Sequence, residues 1–216
     1  MTKKKIAVIL SGCGVFDGAE IHESVLTMFA ILICDAEYQI YAPDIKQHHV
    51  INHLTGEEMN ETRNVLIESA RIARGNVKPL AQLNVNDYDA IIFPGGFGVA
   101  KNLCNFAFKG ADFSVHPQVE NVIKAAYQAG KPIGALCISP VLIPKILGEV
   151  EVTIGSDSGT IEAIEKMGGK HKVTTHGEVV IDHKYKVVTT PCYMLDADIL
   201  QIKKGAISAV RALLDF

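Results

Sequence analysis

The chain has no tryptophan, only 8 prolines in 216 residues, and no apolar stretch of bilayer-spanning length. A transmembrane helix needs about 20 consecutive apolar residues, so no membrane partner is expected. The first apolar run, Ile6 to Leu10, is also shorter than a signal-peptide core. An excess of one charge is missing too. There are 21 Lys and Arg against 24 Asp and Glu, a net charge of -3, and the pI is near 6.2. Such a balance gives no general attraction for nucleic acid or anionic lipid, and Lys3-Lys4-Lys5 is too short to change it. Cysteines number 5, an odd count without a C-x-x-C pair, which suggests neither a disulfide framework nor a zinc site. A single cytoplasmic domain covering residues 1-216 is the expectation, with no metal.

Short Val- and Ile-rich runs alternate with helical patterns, the signature of an α/β, doubly wound, mostly parallel sheet covered by helices on both faces. Strands are expected at Ile6 to Leu10, Tyr38 to Ala42, Asp89 to Pro94, Pro132 to Cys137 and Val152 to Ile154. Helices are expected from about Glu20 to Ile33, Asn60 to Arg74, Gln118 to Ala129 and Glu162 to Met167, with a long closing helix from Leu195 to Leu214. Val179 to Val188 reads as a hairpin in the C-terminal third.

In such a sheet, ligands bind outside the carboxyl ends of the strands. Three strand ends draw attention: Ser11 to Gly18, Gly95 to Gly98, and Cys137 with Ile138. Pro132-Ile-Gly-Ala-Leu-Cys-Ile-Ser-Pro140 reads as a buried strand turning sharply into a helix, with Cys137 at the corner. That bend exposes a side chain, and the N–H groups that follow can stabilise a thiolate or an oxyanion. The alternative is an inert buried thiol, as free cysteines often are. Cys13, Cys34, Cys104 and Cys192 have no comparable setting. Gly95, Gly96 and the N–H of Ile138 could together hold an oxygen that gains charge.

Glu23, early in the first helix, could face the same crevice with a raised pKa and exchange a proton with the sulfur. Glu20 suits an ordinary helix cap, and His22 is expected at the surface. Gly12-Cys-Gly-Val-Phe-Asp-Gly18 resembles a dinucleotide fingerprint but is one residue too long, and Glu20 and Glu23 would oppose a pyrophosphate. No cofactor is expected. His48, His49 and His53 lack a completing ligand for a metal, and the sequence does not place His171, His176 or His183.

Further motifs extend the pattern: Ile51-Asn-His-Leu-Thr-Gly-Glu57, Glu61-Thr-Arg-Asn-Val-Leu-Ile-Glu68, Pro94-Gly-Gly-Phe-Gly98, Ala100-Lys-Asn-Leu103 and Thr189-Thr-Pro191. Together with Ser11 to Gly18 and Glu20-Ile-His-Glu23, they make nearly the whole chain resemble the ThiJ/PfpI superfamily and, within it, the ElbB branch of isoprenoid or lycopene-enhancing proteins with assigned glyoxalase activity. The resemblance implies a flavodoxin-like sandwich, with Cys137 as nucleophile, Glu23 as its acid partner, and Gly96 and Ile138 as oxyanion donors. It also implies a homodimer. Several superfamily members carry a histidine beside the cysteine; here Ile138 follows it and Val152 to Gly155 offers none.

The expected activity is a cofactor-independent, glutathione-independent glyoxalase that converts glyoxal, or a related small 2-oxoaldehyde, into glycolate or the matching 2-hydroxy acid. A cysteine oxidation sensor without turnover is the second reading. A hydrolase or amidotransferase, which would need a histidine at Cys137, is the third.

Overall fold

Alternating apolar side chains build a sheet that is buried on both faces. The computed structural model describes residues 3–216. Its elements run β1 (Lys5–Ile9), α1 (Ile21–Ile33), β2 (Glu37–Ala42), α2 (Val65–Ile72), β3 (Val77–Pro79), β4 (Ala90–Phe93), α3 (Phe106–Lys109), α4 (Pro117–Gln128), β5 (Ile133–Leu136), α5 (Leu142–Leu147), β6 (Glu151–Val152), α6 (Ser158–Lys166), β7 (Lys170–His171), β8 (Val180–Asp182), β9 (Val187–Thr190) and α7 (Ile199–Leu214). Along β1, Ala7 and Ile9 join one apolar cluster, with Ile123 and Ala126 of α4. Ile6 and Val8 join another, with Ala30 of α1 and Ile202 and Ala206 of α7. This period of two, apolar on both sides, is what a central strand between two helical layers requires.

The seven-stranded sheet has the order β3-β2-β1-β4-β5-β9-β8. All its pairings are parallel except β8 with β9, which form the expected antiparallel hairpin. The chain starts at β1, winds outward through β2 and β3, then returns to β4 on the other side. The crevice between β1 and β4 is therefore the topological switch point, where flavodoxin-like sheets place ligands.

Several expected bounds shift: α6 begins at Ser158 rather than Glu162 and α7 at Ile199 rather than Leu195, where Asp157 and Asp198 cap them. The helix expected from Asn60 starts at Val65, because Asn64 caps it by accepting the Ile67 N–H at 3.1 Å while Lys46 and Asn64 form a bridge. The short edge strand β3, ended by Pro79, carries no apolar run to reveal it. The strand expected at Val152 to Ile154 is cut to β6, which pairs only with β7 in a separate ladder. Its neighbours turn to side chains: Thr153 N–H donates to Thr189 Oγ1 at 2.9 Å and Ile154 N–H to His171 Nε2 at 3.1 Å. No helix among the described residues is long and apolar enough to cross a membrane.

Candidate functional site

Four strand ends converge at the switch point. At the end of β5, Cys137 has φ 61°, a left-handed conformation costly for any residue with a Cβ. Neighbours fix the bend: the Cys137 N–H donates to Thr190 O at 3.0 Å, and Ser139 Oγ donates to Pro94 O at 2.9 Å. The expected helix follows, opening as a 3-10 turn over Ser139–Val141 before α5.

From the α1 side, Glu20 is the helix cap, its Oε2 accepting the Glu23 N–H at 2.6 Å. That cap orients the first turn and aims Glu23 inward, where it is 0% exposed. Gly95, 72 residues later, donates its N–H to Glu23 Oε2 at 2.9 Å. Tyr193, 170 residues later, donates its N–H to Oε1 at 3.1 Å. Glu23 Oε2 and Cys137 Sγ flank the same face of Gly95, 2.5 and 2.9 Å from where a Cβ would stand, so the carboxyl and the thiol are neighbours.

Burial, reinforced by the charge of Glu20, pushes the Glu23 carboxyl up to about 7, against the pull of its Tyr193, Cys137 and Gly95 hydrogen bonds. Burial and the Glu23 charge together push the Cys137 thiol well up, while the N–H groups of Gly96 and Ile138 pull it down by donating to the sulfur. Both shifts favour the neutral forms, so burial and the neighbouring carboxyl work against the thiolate that the elbow pattern suggested.

The backbone N–H groups of Gly96 and Ile138 are the ones that favour a charged Cys137 sulfur. Gly95 departs from the oxygen-binding role expected of it, because its N–H is taken by Glu23. Its lack of a side chain is what matters: a Cβ there would lie 2.3 Å from Cys137 Cβ and 2.5 Å from Glu23 Oε2. Gly96, at φ +101°, lets the two loops interlock, with Glu20 N–H donating to Gly95 O at 2.9 Å and Gly98 N–H to Gly18 O at 2.8 Å.

Above Cys137 opens a cavity of about 320 Å³. Phe97, Phe106, Ile138 and Met194 give it apolar walls, and Asp157, Thr160 and Tyr193 supply the polar groups. No histidine is among the lining residues. His22 is exposed, as expected, but its Nδ1 meets Tyr193 Oη at 2.8 Å. His171 is engaged with Ile154 N–H, and His53 Nε2 accepts the Phe16 N–H at 3.2 Å.

The Gly12 to Gly18 loop is filled by its own chain. Gly12 N–H donates to Ser69 Oγ, Gly14 N–H to Ala19 O and Gly18 N–H to Gly14 O. Among the described residues no group of three or more metal-ligating side chains comes together. Sequence reasoning missed Tyr193, Asp157 and Thr160. Tyr193 follows the end of β9, so the strand-end rule applied to Thr189-Thr-Pro191 would have reached it; Asp157 caps α6 and Thr160 lies in its first turn, and neither carried such a mark.

No family model matches the chain. It is 48% identical over 221 residues, 98% of its length and 82% of the other's, to the human mitochondrial glutamine amidotransferase-like class 1 domain-containing protein 3. It is 46% identical to the rat mitochondrial ES1 protein homolog, covering 99% of this chain and 84% of that one. Among solved structures, an isoprenoid biosynthesis protein with amidotransferase-like domain from Ehrlichia chaffeensis superposes with TM-score 0.92 at 36% identity over 98% of both chains. Glyoxalase III from Candida albicans superposes with TM-score 0.62 over 98% of this chain and 96% of that one, and at 15% identity shows the fold alone.

The relatives' names correct one expectation. They are labelled mitochondrial, which points away from the cytoplasm. That expectation rested on a first apolar run too short for a secretory signal and on the lack of a bilayer-length stretch, neither of which reports on mitochondrial targeting. On its sequence identity and shared fold, the chain belongs to the family of the glutamine amidotransferase-like class 1 domain-containing protein 3 and ES1 proteins, which has the ThiJ/PfpI architecture.

Proposed function

We propose that the protein is a cofactor-independent glyoxalase acting on small 2-oxoaldehydes. The observation that carries this reading is the pairing of Cys137 with a wholly buried Glu23 whose carboxyl is raised to about 7. A proton-transfer group works best when its pKa lies near the working pH. Glyoxalase chemistry needs a sulfur that adds to an aldehyde and one group that both takes and returns a proton.

The sulfur of Cys137 adds to the aldehyde carbon, and the thiol proton passes by way of Glu23 to the resulting oxygen, giving a hemithioacetal. Glu23, left as a carboxylate, removes the hydrogen on that carbon to give an enediolate, the hydroxyl proton moves to the neighbouring oxygen, and Glu23 returns its proton to the neighbouring carbon. The product is a thioester of the 2-hydroxy acid. Water cleaves it, releases glycolate when glyoxal is the substrate, and restores the thiol. In this reading the N–H groups of Gly96 and Ile138, which favour negative charge on the sulfur, also hold the oxygen that becomes negative. The glyoxalase III whose fold this chain shares adds support at the level of architecture.

The amidotransferase reading, suggested by the relatives' names, requires a histidine to activate the sulfur, and the lining residues include none. The test is turnover of glyoxal and methylglyoxal without glutathione. Cys137→Ala should abolish 2-hydroxy-acid formation, and Glu23→Gln should lower it at least about 100-fold with the fold intact. Wild-type turnover in Cys137→Ala would refute the mechanism. Stoichiometric oxidation of Cys137 by peroxide, with no turnover, would favour the sensor.

A further inference from the structure

We propose that the cavity above Cys137 selects neutral carbonyl compounds with a bulky apolar substituent of aryl size, and disfavours anionic ones. The carbonyl chemistry rests on the glyoxalase reading, while the selection rests on the shape and charge of the cavity.

Size is the first observation. The cavity of about 320 Å³ sits at the lower edge of the range for drug-sized ligands, about 300–1,000 Å³. Glyoxal and methylglyoxal would leave most of it empty or wet. The wall chemistry is the second. Phe97, Phe106, Ile138 and Met194 supply a broad apolar lining, in which the flexible thioether of Met194 can adapt to a ring.

The backbone supplies the third. Val99–Leu103 winds as a π-helix, a rare distortion found frequently at functional sites. Small Ala100 faces the cavity from that turn and small Ala107 from α3, so the space stays open where larger residues would close it.

Charge is the fourth observation. No Lys or Arg lines the cavity. Its charged lining group beyond the reacting pair is Asp157, whose carboxyl caps α6 by accepting the Thr160 N–H at 2.8 Å and is held below its usual range mainly by Thr160. A phosphate or carboxylate on the substrate would meet this carboxylate with nothing to neutralise it. A ring would meet only hydrocarbon and sulfur.

The experiment compares kcat/KM of the full chain for methylglyoxal, phenylglyoxal and 4-carboxyphenylglyoxal. Phenylglyoxal should exceed methylglyoxal by about tenfold or more, as an added apolar group does in a fitting pocket. The carboxylated ring should fall about tenfold below phenylglyoxal, and Asp157→Asn, which keeps a capping side chain, should recover part of that loss. Ala107→Trp, at an exposed position, should reduce the ratio of phenylglyoxal to methylglyoxal.

Equal rates for the three substrates would overturn the proposal. If no substrate turns over, alkylation of Cys137 is followed by peptide mass spectrometry. Rates with N-phenylmaleimide, N-methylmaleimide and a carboxyphenyl maleimide are each divided by the rate with free cysteine. Preference for the neutral ring without turnover would remove the glyoxalase reading and support the selective cavity. No preference in alkylation would overturn the cavity proposal itself.

Discussion

Gly95→Ala tests how tightly the reacting pair is built. A Cβ at that position would lie 2.3 Å from Cys137 Cβ, 2.5 Å from Glu23 Oε2 and 2.9 Å from Cys137 Sγ. None of these atoms can yield cheaply. Cys137 already holds a left-handed backbone at φ 61°, and Glu23 is fully buried with both oxygens bonded. Gly95 has no left-handed backbone of its own, so the penalty is one of space alone.

Overpacking of a rigid interior costs about 1–3 kcal/mol, and the contacts here place this site near the top of that range. For a domain of this size the loss corresponds to a fall in Tm of about 6–12 °C. Relief by moving Glu23 away from the sulfur by about 1 Å should also cost about 100-fold in turnover. The assays are thermal unfolding by circular dichroism and the pH dependence of Cys137 alkylation, with Gly159→Ala as the control. Gly159 lies in α6 and a Cβ there would meet only Asp157 Oδ1 at 3.8 Å, so that variant should gain about 0.4–1 kcal/mol. Gly95→Ala with the wild-type Tm and the wild-type alkylation profile would refute the argument.

Glu23 also ties stability to pH. Its carboxyl is raised from 4.5 to about 7, so between those values the folded state binds the extra proton. Stability is therefore fully present below the lower value and declines as pH rises through the upper one, by at most about 3 kcal/mol. Urea unfolding across this window should show the decline in wild type and a flatter profile in Glu23→Gln; parallel profiles would contradict the raised carboxyl. At the other end of the chain, Asp198 caps α7 through Leu200 and Gln201 N–H groups, both within 2.9 Å, and Gln201 closes a capping box. Asp198→Ala should lose about 1 kcal/mol, or 2–4 °C in Tm, in the same melting assay.

The sheet was legible because its central strands are short apolar runs ended by Gly, Pro or Asp, as at Asp89 to Pro94. The elbow was legible because Cys137 sits between a buried strand and a Ser-Pro pair that begins a helix. Glu23 could be chosen over Glu20 because the two have different uses at a helix start, one as cap and one as inward-facing acid. The use of Gly95 was hidden, since a glycine after a strand reads equally as an open donor and as a spacer for two side chains. Tyr193 lay within reach of the strand-end rule, but its role there did not show, because it serves Glu23 through a backbone N–H, which every residue except proline possesses. The part played by Asp157 depends on how α6 folds over the strand ends, and no local periodicity encodes that.

Each half of the reacting pair is built from segments that lie far apart along the polypeptide. The carboxyl needs partners 72 and 170 residues downstream before both of its oxygens are satisfied. No N-terminal fragment that stops short of Tyr193 can therefore complete the set of donors. The pairing of β5 with β9, the last parallel ladder along the sequence, carries the chain to the residue whose N–H closes the Glu23 shell.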